Sequence, residues 1–155
     1  MSLEIERAFV AERVPPAAVL GPGVRLRQGY LASEGDTEVR IRLTTTAASL
    51  TVKVGSGLTR TEIEVDLPMA DAEELWSHTA GRRLDKARHR VVLPGGEAAE
   101  VDVYADELAG LCRIEVEFTS EAAAAAFDPP DWFGREVTDD PRWRNASLAR
   151  HGRPS

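Results

Sequence analysis

Apolar and polar residues alternate with period two along most of this chain, in short runs separated by turn residues. That is the pattern of an antiparallel sheet or barrel. Eight such runs predict strands over 3–10, 24–32, 37–44, 49–54, 61–67, 84–93, 98–104 and 111–119. Turn chemistry marks several of the breaks: Ser33-Glu34-Gly35-Asp36, Gly55-Ser56-Gly57 and Pro94-Gly95-Gly96. Helical signals fill the remaining gaps. Asp71 followed by Glu74 reads as a capping box for a helix through Trp76 that stops before Gly81. Ser120 reads as the cap of an alanine-rich helix over 121–127, and Asp140-Pro141 as the cap and first-turn proline of a helix over 142–149. A brief turn follows Pro15-Pro16. The predicted class is α+β, mainly antiparallel β, in a single domain spanning 1–155 with a polar tail from about residue 150.

The two faces of these strands differ sharply, because one is aliphatic and the other is made of charges. Leu3 and Ile5 alternate with Glu4 and Glu6; Val39, Ile41 and Leu43 with Glu38, Arg40 and Arg42; Leu50, Val52 and Val54 with Thr51 and Lys53. Ile63, Val65 and Leu67 oppose Glu62, Glu64 and Asp66, and Ile114, Val116 and Phe118 oppose Arg113, Glu115 and Glu117. The sixth strand offers Lys86, Arg88 and Arg90, the seventh Glu100, Asp102 and Tyr104. A sheet with one solvated face would also place charges outward, where ion pairs are nearly neutral in energy. Against that reading stands the repeated pairing of like charges at i, i+2: Glu4/Glu6, Glu62/Glu64, Glu115/Glu117, Arg40/Arg42 and Lys86/Arg88. Neighbouring carboxylates repel unless a cation sits between them, and neighbouring arginines suit a polyanion. If the sheet closes with these faces inward, one channel holds hard divalent cations and a chain of phosphates.

Composition changes this picture in two ways. The net charge is -7, with 26 acidic against 19 basic residues, which disfavours a protein that coats DNA or RNA. Strand parity nevertheless gathers at least six bases on one inward surface, so the local field outweighs the sum. Of the 19 bases only Lys53 and Lys86 are lysines, and both fall on charged strand faces. The single cysteine, Cys112, excludes an internal disulfide, and the acids at Met1-Ser2-Leu3-Glu4 do not suit a signal peptide. A cytoplasmic protein with no membrane span is expected.

Glu4-Ile5-Glu6-Arg7 resembles the ExExK signature of the CYTH domains, also called triphosphate tunnel metalloenzymes. Gln28-Gly29-Tyr30-Leu31, Glu38-Val39-Arg40-Ile41-Arg42, Thr51-Val52-Lys53, Arg60-Thr61-Glu62-Ile63-Glu64, Leu84-Asp85-Lys86-Ala87-Arg88, Val101-Asp102-Val103-Tyr104 and Glu115-Val116-Glu117-Phe118 follow in the family's order. Pro130-Asp131-Trp132-Phe133-Gly134-Arg135-Glu136-Val137-Thr138 and Asn145-Ala146-Ser147-Leu148-Ala149 are similar to the tail of short bacterial members. The resemblance covers essentially the whole chain.

It implies an eight-stranded closed β-tunnel, a C-terminal helix plugging one end, and hydrolysis of inorganic tripolyphosphate or a small organic triphosphate with Mg²⁺ or Mn²⁺. The implied metal set is Glu4, Glu6, Glu62, Glu64, Asp102, Glu115 and Glu117, with Glu115 and Glu117 foremost. The implied phosphate ligands are Arg40, Arg42, Lys53, Arg60, Lys86 and Arg88, and Lys53, Lys86 and Tyr30 form the implied catalytic set, Tyr30 as partner to a tunnel lysine. The partner is a small-molecule triphosphate, not nucleic acid or membrane, and the chain is a monomer or homodimer. Two alternatives stay open: a class IV adenylate cyclase, and a non-catalytic module that binds polyphosphate or a nucleotide.

The motif is broken at one place. Its lysine position is Ala8, and Arg7 has the opposite parity, so one charge-assisted phosphate contact is missing, a loss of roughly 1.5–3 kcal/mol. Other tempting residues have plain readings. His78, His89 and His151 lack a triad or zinc spacing, Gly55-Ser56-Gly57 is a hairpin rather than a phosphate loop, Trp132, Phe133 and Trp143 anchor the tail, and Cys112 is packing.

Overall fold

Alternation and turn chemistry produce nine strands and four short α-helices in the computed structural model, which describes residues 2–155; Met1, the first residue of the expected domain, lies outside the described residues. The strands are β1 (Ser2–Val10), β2 (Gly23–Glu34), β3 (Thr37–Leu43), β4 (Ala48–Val54), β5 (Thr59–Leu67), β6 (Arg83–Val92), β7 (Ala98–Tyr104), β8 (Cys112–Phe118) and β9 (Arg135–Glu136). The helices are α1 (Ala17–Leu20), α2 (Met69–Trp76), α3 (Glu121–Ala126) and α4 (Asn145–His151). All eight strands expected from the pattern are present; β9 carries no alternation and was not foreseeable from it.

The sheet runs in the order β5-β4-β3-β2-β6-β7-β8-β1, and β1 closes it by pairing with β5. Every pairing is antiparallel, so no strand needs a long crossover. β1 divides one edge between two partners: Ser2 to Ile5 pair with β5, while Phe9 and Val10 pair with β9 outside the closed ring. Gly134 permits that last contact. Its φ is +74°, and a Cβ there would lie 2.2 Å from the Val10 carbonyl oxygen, so only glycine lets the chain turn this close to β1.

Closure with charge inward inverts the usual arrangement and places the apolar core outside the ring. Phe9, Val101, Ile114 and Val116 pack under Leu20 of α1 and under Phe133, whose ring meets that of Phe9 edge-on at 5.0 Å. Ile41, Leu43 and Ala48 pack under Ala72 of α2. Helices do not cover the apolar outer face everywhere along β1, β4 and β5. There Leu3, Val54, Ile63 and Val65 remain 44–59% exposed because no helix crosses that side.

One end of the ring is filled by apolar side chains. Trp143 and Leu148 enter it and pack with Ala8, Val10, Leu84 and Tyr104, and the Tyr104 hydroxyl donates to Asn145 Oδ1. The helix expected over 142–149 is in fact two pieces: a 3₁₀ turn over Pro141–Trp143, capped by Asp140 Oδ1 accepting from the Arg142 amide at 3.1 Å, and then α4. Arg144 between them is extended (ψ 148°), which aims Trp143 and Asn145 separately into the plug. α4 runs to His151, two residues into the segment read as tail. The Asp71/Glu74 capping box does not form, since α2 starts at Met69 after Pro68 and leaves Asp71 within the first turn; Ser120 does cap α3, its Oγ accepting from the Ala123 amide at 3.0 Å.

Candidate active site

Antiparallel register puts directly opposed residues on one face, so the pairings themselves identify the inner lining. Glu4 opposes Arg60, Glu6 opposes Glu117, Ala8 opposes Glu115, and Val10 opposes Arg113. Tyr30 opposes Arg40, Gln28 opposes Arg42, Lys53 opposes Glu38 and Glu62, and Arg88 opposes Asp102. A β-bulge at Leu31 of β2 keeps Gln28 and Tyr30 inward while the strand continues around the plugged end. The result is a cavity of about 540 Å³, lined among others by Glu4, Glu6, Arg40, Arg42, Lys53, Glu62, Arg88, Glu115 and Glu117. That volume is in the usual small-molecule range of roughly 300–1,000 Å³.

Acids and bases occupy opposite arcs. β5, β1 and β8 contribute Glu62, Glu64, Glu4, Glu6, Glu115 and Glu117; β3 and β6 contribute Arg40, Arg42, Lys86 and Arg88. Most bases are already paired. Lys53 Nζ donates to Glu4 at 2.8 Å and lies 3.6 Å from Glu62; Arg88 grips Asp102 with two hydrogen bonds of 2.8 Å and reaches Glu100 at 2.5 Å; Arg60 lies 3.3 Å from Glu38; Arg113 binds Glu115. Lys86 Nζ lies 2.7 Å from Asp102 but off the hydrogen-bond direction, and it stands 5.5 Å from the Tyr104 ring centroid.

Two bases differ from the rest. Among the described residues no carboxylate lies within ion-pair distance of Arg40 or Arg42: Arg40 is buried with its Nε unpartnered, and Arg42 donates only to the neutral Gln28 Oε1, at 3.0 and 3.2 Å. Burial, with Arg40 and Arg88 beside it, pushes the Arg42 guanidinium down to about 10. Burial likewise pushes the Lys86 ammonium down to about 7 despite Asp102. A buried cation without a counter-ion is costly, and an anion entering the cavity relieves that cost.

The acids come in pairs. Glu4 and Glu62 share a hydrogen bond; burial and that bond raise Glu62 to about 7, whereas the same bond together with Lys53 overrides burial and lowers Glu4. Burial and the nearby Glu115 push Glu6 well up, while Arg113, Arg88, Lys53 and Lys86 overcome burial to hold Glu115 well below the usual range. Such pairs fit a divalent cation, which would replace the shared proton with two positive charges. Among the described residues no three acids already converge on one point.

Not every residue that the resemblance singles out stands free in this cavity. Asp102 is fully buried with both oxygens engaged by Lys86 and Arg88, so it acts as their counter-ion rather than as an open ligand. Glu64 sits at the mouth and accepts from Thr51 at 3.1 Å, and Arg60 is held against the plugged side by Glu38 and the Gly55 carbonyl. The Tyr30 hydroxyl accepts from Gln28 at 3.3 Å, and it makes no hydrogen bond to a lysine. Gln28, Glu38 and Arg113 were not among the expected site residues, although strand parity puts them on the inward face; each pairs with a lining side chain, Gln28 with Arg42, Glu38 with Arg60 and Arg113 with Glu115. At the mouth Arg42, Arg88 and Glu100 are shared with an adjoining recess of about 440 Å³ whose wall includes Pro22, Val24, Leu26 and Ala48.

A closed antiparallel ring with opposed acid and base arcs, open at one end and plugged at the other, defines a β-tunnel able to take up a small polyanion together with cations. Known proteins narrow that class. The chain is 45% identical over 147 residues to an inorganic triphosphatase of Nitrosomonas europaea, covering 94% of this chain and 96% of that protein. It is 35% identical over 153 residues to an inorganic triphosphatase of Acetivibrio thermocellus, covering 97% and 96%. A crystal structure of an inorganic triphosphatase matches 100% of this chain and 99% of that one at 41% identity, with a TM-score of 0.71. No family model matches the chain. The chain belongs to the family of these inorganic triphosphatases.

Proposed function

We propose that this protein is a triphosphate tunnel metalloenzyme that cleaves the terminal phosphoanhydride bond of inorganic tripolyphosphate. The observation that carries this reading is the pair Arg40, buried, and Arg42, half-buried, on one strand face of the tunnel with no carboxylate partner among the described residues. Planar guanidinium forks bind phosphate oxygens in bidentate fashion, and two of them one strand-repeat apart suit adjacent phosphates.

Glu115 and Glu117, with Glu4, Glu6 and Glu62 on the neighbouring strands of the same arc, are the residues that would hold Mg²⁺ or Mn²⁺. Bound there, the metal would offset phosphate charge and lower the pKa of a coordinated water. Arg40 and Arg42 hold oxygens of adjacent phosphates and neutralise charge as it spreads over them in the transition state, with Arg88, held by Asp102 and Glu100, adding its field. Water attacks the terminal phosphorus in line, the bridging P–O bond breaks, and the products are orthophosphate and pyrophosphate. Lys53, on the wall that carries Glu4 and Glu62, steadies the attacking side, and Lys86 offsets the negative charge of the phosphate chain at the inner end. The plug confines the substrate to one entrance and keeps that end free of bulk water.

A small organic triphosphate is the second reading. The recess with Pro22, Val24, Leu26 and Ala48 at the mouth favours it, because this apolar wall adjoins the arginine arc where an organic substituent would emerge. Incubation with tripolyphosphate, ATP and thiamine triphosphate, each with Mg²⁺ or Mn²⁺, tests both. Orthophosphate release from tripolyphosphate is the expected result, and Glu117→Gln is expected to abolish it. Full-rate hydrolysis by that variant would refute the metal site; binding without turnover would leave a sensor module, and cyclic AMP from ATP would mark a cyclase.

A further inference from the structure

The inner end of the tunnel shows a charge exchange between two strands. Ala8 is the one small residue on the inward face of β1 between Glu4 and Val10; it is buried, and it lies directly opposite Glu115 of β8. A methyl group therefore faces the most deeply buried carboxylates of the acid arc. The cation at this place comes instead from Arg113, one register step deeper on β8, opposite Val10 on one side and Asp102 on the other. Its side chain is 7% exposed, its Nη1 binds Glu115, and its Nε has no partner among the described residues. Arg88, by contrast, spends its guanidinium on Asp102 and Glu100. Arg113 thus retains a buried, unpartnered donor one register step from the Ala8–Glu115 pair.

We propose that Arg113 is a positioning residue of the anion site, supplying from β8 the inner cation that β1 withholds at Ala8 and fixing Glu115 while its field holds the inner end of the bound polyanion. Arg113 stands behind Glu115 rather than on the cavity wall, so it acts through that carboxylate and through its charge. This inference rests on the reading of the tunnel as a triphosphate site. A counter-ion needed only to fold β8 would not be replaceable from another strand, whereas a cation needed at this point in space would be. That difference is testable.

The experiment is calorimetric titration of the whole protein with tripolyphosphate, without metal, at constant pH and ionic strength, for wild type, Arg113→Met and the double variant Ala8→Lys/Arg113→Met, with thermal melts of each. Loss of this buried positive charge and of its hold on Glu115 predicts weakening of roughly tenfold or more for Arg113→Met. The double variant is expected to recover to within about threefold of wild type. Unchanged affinity in Arg113→Met overturns the inference, and so does a folded double variant that binds no better than Arg113→Met. Should Arg113→Met fail to fold, the double variant is judged directly against wild type: matching affinity supports relocation of the charge, and loss of folding or binding overturns it. Wild type that does not bind tripolyphosphate would instead remove the triphosphate reading beneath it.

Discussion

The inner and outer walls of this barrel are made from the same strands, yet they do opposite work. Outside, Phe9, Val101, Ile114 and Val116 lose water to Leu20 and Phe133, and the free energy of folding comes mainly from there. Inside, ions such as Arg88–Asp102 offset each other's desolvation with little surplus, and among the described residues no carboxylate pairs with Arg40 or Arg42. The outer wall stabilises, and the inner wall is held ready for a ligand. Residues one position apart on a strand should therefore separate cleanly in mutagenesis.

Truncating the outer wall has the largest expected effect. Phe133→Ala should cost about 3–5 kcal/mol in denaturant-derived stability, with tripolyphosphate affinity of the folded fraction unchanged. Arg40→Met should reverse that pattern: affinity falls by roughly ten- to a hundredfold, the worth of one charge-assisted contact, while the melting temperature holds or rises because an uncompensated buried charge is gone. Parallel loss of stability and affinity in both variants would erase the distinction between the walls.

The pH dependence sharpens it further. Burial lowers Lys86 to about 7, and a polyanion favours its protonated form, so tripolyphosphate binding at pH 8 should take up a proton. Affinity should then fall as pH rises above 7, by at most about tenfold per unit for one proton. Titrations in buffers of different ionisation enthalpy measure that uptake, and zero uptake would mean that Lys86 is already charged or does not sense the ligand. The smallest effect is expected on the uncovered part of the outer wall. Ile63 is 51% exposed, and Ile63→Thr should change stability by no more than about 0.5 kcal/mol and leave affinity alone.

Much of this architecture is readable from strand parity. The eight strands follow from period-two alternation, and the repeated like-charge pairs identify the face that turns inward, because such pairs gain from counter-ions and ligands and lose beside each other. Cys112 and Phe133 fall in the outer core as their apolar character implies. Short-range signals fared unevenly: Ser120 caps its helix, but Asp71 does not, because Pro68 opens α2 one turn earlier. β9 depends on Gly134 and on a free edge of β1, which are features of an assembled barrel rather than of a two-residue segment.

Alternation along the chain settled which side chains share a wall, since parity is a local property of each strand. Which of those inward residues stay free to bind was settled by closure of the ring, since ion pairing depends on register between strands far apart in sequence. Asp102 became a counter-ion because β6 brought Lys86 and Arg88 to it, and Arg113 pairs with Glu115 where β1 offers only Ala8 and Val10. Arg40 and Arg42 are alike in sequence to the other tunnel bases. Only the packed barrel shows that no carboxylate reaches them among the described residues, and that is what carries their proposed role in binding phosphate.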